Sequence, residues 1–151
     1  MATIRLPSDF KEFLQLLNSE KVEYLLVGGY AVGYYGYPRA TGDMDVWIAV
    51  NPTNAAAIVQ VLRRFGFRAD TISVQSFLVE DKVIRMGVPP VRIDLVTRVD
   101  GIEFAQCFLR RTIARLDDVE INLIGLDDLK VNKRTVGRPK DLDDLEHLKP
   151  L

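Results

Sequence analysis

The stretch that decides the fold lies at residues 43–48 and reads Asp43-Met44-Asp45-Val46-Trp47-Ile48. Its β-branched, aromatic and apolar content predicts a strand over residues 44–50, with the two aspartates at its start. Successive side chains of a strand point to opposite faces, so Asp43 and Asp45 are expected together on one face. The opposite face is then expected to pack into the core through Met44, Val46 and Ile48.

A third carboxylate follows in residues 91–96, which read Val91-Arg92-Ile93-Asp94-Leu95-Val96 and predict another strand. By the same alternation Arg92 and Asp94 share one face, and the apolar residues between them share the other. If this strand lies beside the first, the three aspartates converge. Arg92 is then either an ion-pair partner of the carboxylates or a ligand of a phosphate.

A converging set of three carboxylates predicts a metal site. Ionised carboxylates within a few ångströms repel each other, and a divalent cation removes the conflict. Hard oxygen ligands suit Mg²⁺ or Mn²⁺, which favour one or two carboxylates together with substrate phosphates. Two such ions about 3.5–4 Å apart stabilise the entering and leaving oxygens of a nucleotidyl displacement. The alternative is that an Asp-x-Asp pair is merely two surface carboxylates at a strand end.

Two glycines stand where an earlier strand ends and a helix begins. The strand is predicted over residues 24–27, and Gly28-Gly29 separates it from a helix over residues 30–35. Backbone amides are unpaired at such a junction and the helix dipole is positive there, so it suits a triphosphate. Alternatively, the two glycines only turn the chain.

The remaining sequence continues to alternate helical and strand patterns. Helices are predicted over residues 8–18, 52–65, 103–109, 126–136 and 142–148, and strands over residues 73–79, 83–86 and 119–124. The strand-like segments between residues 71 and 97 are expected to be successive antiparallel strands. The pattern predicts an α+β fold, a mixed β-sheet with helices mainly on one side, in a single domain over residues 1–151.

Composition narrows the possible chemistry. The 151 residues carry 20 Lys and Arg against 21 Asp and Glu, so no global positive field draws the chain onto nucleic acid or anionic lipid. The single cysteine, Cys107, and the single histidine, His147, exclude a disulfide framework and a zinc site of Cys and His within one chain. Without a long apolar run or a leader-like start, we expect no membrane contact and a cytoplasmic location.

The ordered set of motifs resembles the DNA polymerase β-type nucleotidyltransferase superfamily. That family has a helix-initiating Gly-Gly or Gly-Ser, then Asp-x-Asp or Asp-x-Glu on the next strand, then a third Asp. This chain has Gly28-Gly29, then Arg39-Ala40-Thr41-Gly42-Asp43-Met44-Asp45, then Asp94. With the tail at residues 128–145, it is similar to small bacterial nucleotidyltransferases related to abortive-infection and toxin-antitoxin proteins.

The resemblance implies a minimal nucleotidyltransferase fold, an NTP substrate and a Mg²⁺ or Mn²⁺ cofactor. A nucleoside monophosphate would move to a hydroxyl of RNA, protein or a small molecule, and pyrophosphate would leave. Asp43 and Asp45 would bind the metals, and Asp94 would complete the cluster and help to deprotonate the acceptor. Gly28 and Gly29 would hold the nucleotide phosphates.

The same resemblance implies roles for four further residues. Lys133 would neutralise the charge that builds on the α-phosphate. Asp141 matches a position that the relatives keep near the active site. Arg39 would stabilise the triphosphate, and Thr41 would either contribute to that site or brace the loop through its backbone.

Several alternatives remain open in the sequence. Trp47 either stacks on a base or packs in the core, while Cys107 is expected to be a small buried residue and His147 a surface residue. A chain of this length is expected to hold the catalytic fold without a large acceptor-binding domain, so a second copy or a partner protein would complete the site. The competing function is a non-catalytic nucleotide- or partner-binding module, such as half of a toxin-antitoxin-like system. A metal-dependent phosphohydrolase is a third reading.

Overall fold

A computed structural model describes residues 5–37, 42–67, 72–88 and 91–148. In chain order the elements are α1 (Ser8–Ser19), β1 (Tyr24–Val27), α2 (Gly28–Tyr34), β2 (Asp43–Ile48), α3 (Pro52–Phe65), a 3₁₀ helix (Val74–Phe77), β3 (Val83–Val88), β4 (Val91–Val96), α4 (Phe104–Leu109), β5 (Thr112–Leu116), β6 (Val119–Leu123), α5 (Leu126–Val136) and α6 (Pro139–His147). Within these ranges no helix combines the length and the apolar character needed to span a bilayer.

The strands of the described residues form one mixed sheet in the order β3-β4-β2-β1-β6-β5. Two neighbouring pairs, β2 with β4 and β1 with β6, run parallel, and the other pairs run antiparallel. The predicted α+β fold with a mixed sheet is therefore confirmed. The two strands that carry the aspartates, β2 and β4, are neighbours in this order.

The helices cover the sheet with the apolar faces that their sequences predict. Four apolar residues of α1 are completely buried, and α1 packs against α3, β4 and β6. Helix α3 begins at Pro52, where the Asn51 side chain accepts a hydrogen bond from the Asn54 amide, and it ends at Gly66 in the left-handed conformation. Met44, Val46 and Ile48 are fully buried, as the alternation in β2 requires.

Some elements are shifted from the predicted bounds: α2 begins at Gly28 rather than at residue 30, β2 ends at Ile48 rather than at residue 50, and α6 begins at Pro139 rather than at residue 142. Two elements differ in kind. The predicted strand at residues 73–79 is instead a 3₁₀ helix, because Ser76 Oγ accepts a hydrogen bond from the Ser73 amide, 3.1 Å away, and local bonding overrides strand propensity. Strand β5 was not predicted. It pairs with β6 through a turn in which Asp117 and Asp118 have φ of 48° and 66°, as a two-residue hairpin requires.

Candidate active site

The pairing of β2 with β4 brings the predicted carboxylates together. In the parallel register Asp45 lies beside Asp94, and Asp43 lies beside Arg92. Strand alternation places all four side chains on the face opposite Met44 and its apolar neighbours. Asp94 is 6% exposed, whereas Asp43 and Asp45 are half-buried. Three carboxylates and one guanidinium thus share one small area of the sheet.

Asp45 lies where its ionised form is disfavoured. Burial, which is the largest cause, and the nearby carboxylates of Asp94 and Asp43 together raise the pKa of Asp45 to about 6. Arg92 and Lys133 oppose the rise. A second cation near these carboxylates would therefore relieve repulsion that the protein's own arginine leaves in place.

Arg92 bridges two of the three aspartates. Its Nη2 donates to Asp43 Oδ2 at 2.6 Å and to Asp94 Oδ2 at 3.4 Å, while its Nε lies 3.3 Å from Asp94 Oδ1. On the far side, Arg85 Nε of β3 lies 3.8 Å from Asp94 Oδ2, but the Arg85 side chain is 64% exposed. Of the two sequence alternatives for Arg92, the structure shows the ion pair.

The carboxylates of Asp43, Asp45 and Asp94 are chemically suited to a hard divalent cation, although their side chains are not arranged around a metal position. Across the described ranges no three Asp, Glu, His or Cys side chains are arranged to hold one metal ion. Arg92 instead lies between Asp43 and Asp94. However, Asp94 Oδ1 is buried and makes no hydrogen bond, and an unsatisfied buried carboxylate oxygen is a suitable ligand for Mg²⁺ or Mn²⁺.

Gly28 lets the Asp45 carboxylate lie against the backbone at the start of α2. A Cβ at Gly28 would fall 2.2 Å from Asp45 Oδ2, and the residue has a φ of +66°. Both the contact and the backbone angle disfavour a side chain here. Gly29 is the second residue of α2 and is half-buried. Their predicted contact with nucleotide phosphates stays a prediction.

The tail residues form a buried charge cluster that joins α5 to α6. Lys133 Nζ lies 3.3 Å from Asp141 Oδ1 and 3.0 Å from Asp144 Oδ2, and the side chains of all three are at most 7% exposed. Asp141 Oδ2 also accepts a hydrogen bond from Arg138 Nε at 2.7 Å. These cations overcome the effect of burial and lower the pKa of Asp141.

Lys133 therefore pairs with Asp141 and Asp144, whereas the sequence resemblance implied that it faces the α-phosphate. The charge of Lys133 also opposes the rise in the pKa of Asp45. Sequence reasoning missed Asp144, which is fully buried. The available signal was its position three residues after Asp141 on one helix, which places both carboxylates on the same side.

Other predicted residues are placed as follows. Arg39 and Thr41 lie outside the described residues. Trp47 is 2% exposed and packs edge to face on Phe104 at 5.2 Å, which agrees with the packing alternative. Cys107 is fully buried, as predicted, and His147 is exposed at the end of α6, also as predicted.

A cleft that the sequence did not reveal opens beside Trp47. It has a volume of about 680 Å³ and lies where the ends of β2 and β4 meet α4. Trp47, Phe104 and Phe108 provide apolar wall, and the exposed acidic residues are Glu23, Glu80 and Glu103. Among the described residues that line it, Arg98 is the one base, and it is paired with Asp100 at 3.3 Å. We refer to this feature as the acid-rimmed cleft.

No protein-family model and no curated protein matches the sequence, but solved structures match the fold. The lincomycin-bound lincosamide antibiotic adenylyltransferase LnuA superposes with a TM-score of 0.57 at 14% identity, over 97% of this chain and 98% of that one. An antigenic nucleotidyltransferase-like protein from Paracoccidioides brasiliensis has a TM-score of 0.57 at 19% identity, over 97% of this chain and 76% of that one. The fold is thus similar to that of nucleotidyltransferases.

Proposed function

We propose that this protein is a metal-dependent nucleotidyltransferase that moves a nucleoside monophosphate from an NTP to a hydroxyl. The observation that carries the proposal is the β2–β4 register, which sets Asp45 beside Asp94 and places Asp43 on the same face. The nucleotidyltransferase fold of the structural neighbours supports it. The similarity to toxin-antitoxin nucleotidyltransferases belongs to this proposal and rests on the sequence motifs alone.

In the proposed reaction the acceptor oxygen attacks the α-phosphorus and the bond to the bridging α,β-oxygen breaks, so pyrophosphate leaves. Asp43, Asp45 and Asp94 would hold Mg²⁺ or Mn²⁺, which supplies positive charge to the phosphates when bound. We assign Asp94, which lies beside Asp45 in the sheet, to help to deprotonate the acceptor hydroxyl. Gly28 keeps Asp45 in place by leaving room for its carboxylate.

Of the three acceptor classes, a small molecule fits the chain best. Trp47 follows Asp45 by two residues, so the part of the acid-rimmed cleft that Trp47 lines lies on the same strand face as the aspartates. Its acidic groups repel RNA phosphates, while its aromatic wall suits an apolar, amine-bearing molecule with a hydroxyl. The structural neighbour LnuA is bound to lincomycin, which is a small molecule.

Transfer of radiolabel tests the proposal. The full chain is incubated with each α-³²P-labelled NTP and Mg²⁺ or Mn²⁺, together with RNA, protein or small-molecule fractions of a cell extract, or with lincomycin. We expect label in the small-molecule fraction, abolished by Asp45→Asn and retained by Asp9→Asn, which alters an exposed carboxylate on α1. Undiminished transfer by Asp45→Asn would refute the assigned role.

The second candidate is a nucleotide- or partner-binding module without turnover, such as one half of a two-protein system. The observation in its favour is that Arg92 already neutralises Asp43 and Asp94. This candidate predicts that an NTP raises the melting temperature of the protein while no fraction becomes labelled. One labelled acceptor would exclude it. Release of phosphate or nucleoside monophosphate without an acceptor would instead indicate the phosphohydrolase.

A further inference from the structure

We propose that Arg92 is the resident cation of the carboxylate site and that a divalent metal ion enters only when Arg92 leaves Asp43 and Asp94 for the phosphates of an incoming nucleotide. The inference rests on the proposed function, because it concerns the same carboxylates. It adds an order of binding, in which metal and nucleotide enter together.

The backbone holds Arg92 in position to span the site. Arg92 and Asp94 are two residues apart on β4 and share a face, and the register with β2 sets Asp43 opposite Arg92. One guanidinium nitrogen, Nη2, donates to both carboxylates, at 2.6 Å and 3.4 Å. Because the Arg92 side chain is only 26% exposed, water screens this arrangement less than it would screen a surface pair.

Arg92 and a metal ion compete for the same oxygens. A Mg²⁺ ion binds carboxylate oxygens at about 2.0–2.1 Å, and Asp43 Oδ2 already accepts a bond from Arg92 Nη2 at 2.6 Å. Two cations on one oxygen at such distances repel each other strongly in a partly buried site. A metal ion that takes Asp43 Oδ2 as a ligand therefore requires that the guanidinium move away.

The ion pair between Arg92 and Asp94 also leaves polar atoms without hydrogen bonds, which favours the movement of Arg92 to other partners. Arg92 Nε and Asp94 Oδ1 are 3.3 Å apart, yet both are buried and neither makes a hydrogen bond. Such groups without hydrogen bonds favour a rearrangement that satisfies them. A metal ion would satisfy the Asp94 oxygen, and phosphate oxygens would satisfy the planar guanidinium fork.

Coupled entry follows from this competition. A metal ion without a nucleotide must displace Arg92 from its carboxylate partners and leave the guanidinium without a counter-ion. Such a metal ion therefore binds weakly. A metal that arrives with a triphosphate provides the displaced guanidinium with new acceptors, so it binds tightly. Both roles that the sequence leaves open for Arg92 are then used in succession, first as ion-pair partner and afterwards as phosphate ligand.

Titration with Mn²⁺ alone tests the proposal without any turnover. Binding to the full chain is measured by calorimetry and by the Mn²⁺ electron paramagnetic resonance signal, for the native protein, Arg92→Gln, Arg92→Lys and the control Arg64→Gln. Arg64 pairs with Glu20 on another part of the molecule. We expect Arg92→Gln to bind Mn²⁺ at least tenfold more tightly than the native protein, with Arg92→Lys between them and Arg64→Gln unchanged.

A second titration measures the coupling with a non-hydrolysable α,β-methylene ATP. In the native protein the analogue is expected to tighten Mn²⁺ binding at least tenfold, and in Arg92→Gln the gain is expected to shrink at least threefold. Equal Mn²⁺ affinity in native protein and Arg92→Gln, both folded by circular dichroism, would overturn the inference, as would an unchanged coupling. If Arg92→Gln does not fold, the same comparison is made with Arg92→Lys.

These outcomes separate the inference from the proposed function. If labelled acceptor forms but Arg92→Gln leaves Mn²⁺ affinity unchanged, the function stands and the inference fails. If no acceptor is labelled but Arg92→Gln binds Mn²⁺ more tightly and has at least threefold less coupling, the inference stands for a binding module. If neither protein binds Mn²⁺ at millimolar concentration, the inference fails whatever the transfer assay shows.

Discussion

Replacing Gly28 by alanine should remove most of the thermal stabilisation that an NTP with Mg²⁺ gives to this protein. Gly28 has a φ of +66°, which L-residues adopt at a cost of about 1–2 kcal/mol. Its added Cβ would also lie 2.2 Å from Asp45 Oδ2. The Asp45 carboxylate must therefore swing out of the place where it meets Asp43 and Asp94.

The backbone term and the contact term can be measured separately, because Gly66 supplies a matched control. Gly66 also has a positive φ, +91°, but a Cβ there meets nothing within 4 Å. We expect both alanine variants to melt about 2–8 °C lower than the native protein, from about 1–2 kcal/mol each. Only Gly28→Ala should in addition displace Asp45.

The assay is thermal unfolding with and without an NTP and Mg²⁺. A ligand at about 100 times its Kd adds roughly 2.7 kcal/mol, or on the order of 5–10 °C for a domain of this size. We expect this ligand-induced rise in the native protein and in Gly66→Ala, and a loss of most of it in Gly28→Ala. An equal rise in both alanine variants would refute the argument that Gly28 positions Asp45.

Further predictions concern the charges and the thiol of the same fold. Asp45, whose pKa is about 6, binds its proton more tightly in the folded than in the unfolded chain, so the free energy of unfolding without metal should fall as pH rises from about 4 to 6. Asp45→Asn should remove that fall and be more stable than the native protein at pH 7 by on the order of 2 kcal/mol. Urea unfolding that shows no such gain would contradict this. Lys133→Met leaves two buried carboxylates without their shared cation and should lower the free energy of unfolding by about 3–5 kcal/mol. The control Lys140→Met, which alters an exposed side chain, should lower it by less than about 0.5 kcal/mol. Similar urea midpoints for the two variants would argue against a buried cluster. Burial raises the pKa of the Cys107 thiol to about 11, so a disulfide reagent at pH 8 should react with it only in urea, and rapid reaction of the native protein would show that the thiol is exposed.

The elements that sequence predicted well depend on local patterns. Strands β1 and β4 and helix α5 have the predicted bounds, because alternation and helical periodicity are properties of neighbouring residues. The prediction at residues 73–79 was wrong because the Ser76 side chain accepts a hydrogen bond from the Ser73 amide and so favours a 3₁₀ helix. Strand β5 was missed because its place in the sheet depends on pairing with β6 through a turn at positive φ.

For the candidate site, the sequence by itself determined which side chains share a face: Asp43 with Asp45 on one strand, and Arg92 with Asp94 on another. It did so because side-chain direction alternates along any strand. Only the tertiary structure decided that Arg92 bridges Asp43 and Asp94, and that Lys133 is held by Asp141 and Asp144. Strand order, desolvation and the distances between charges arise from contacts between segments far apart in the chain, so the local pattern contains none of them.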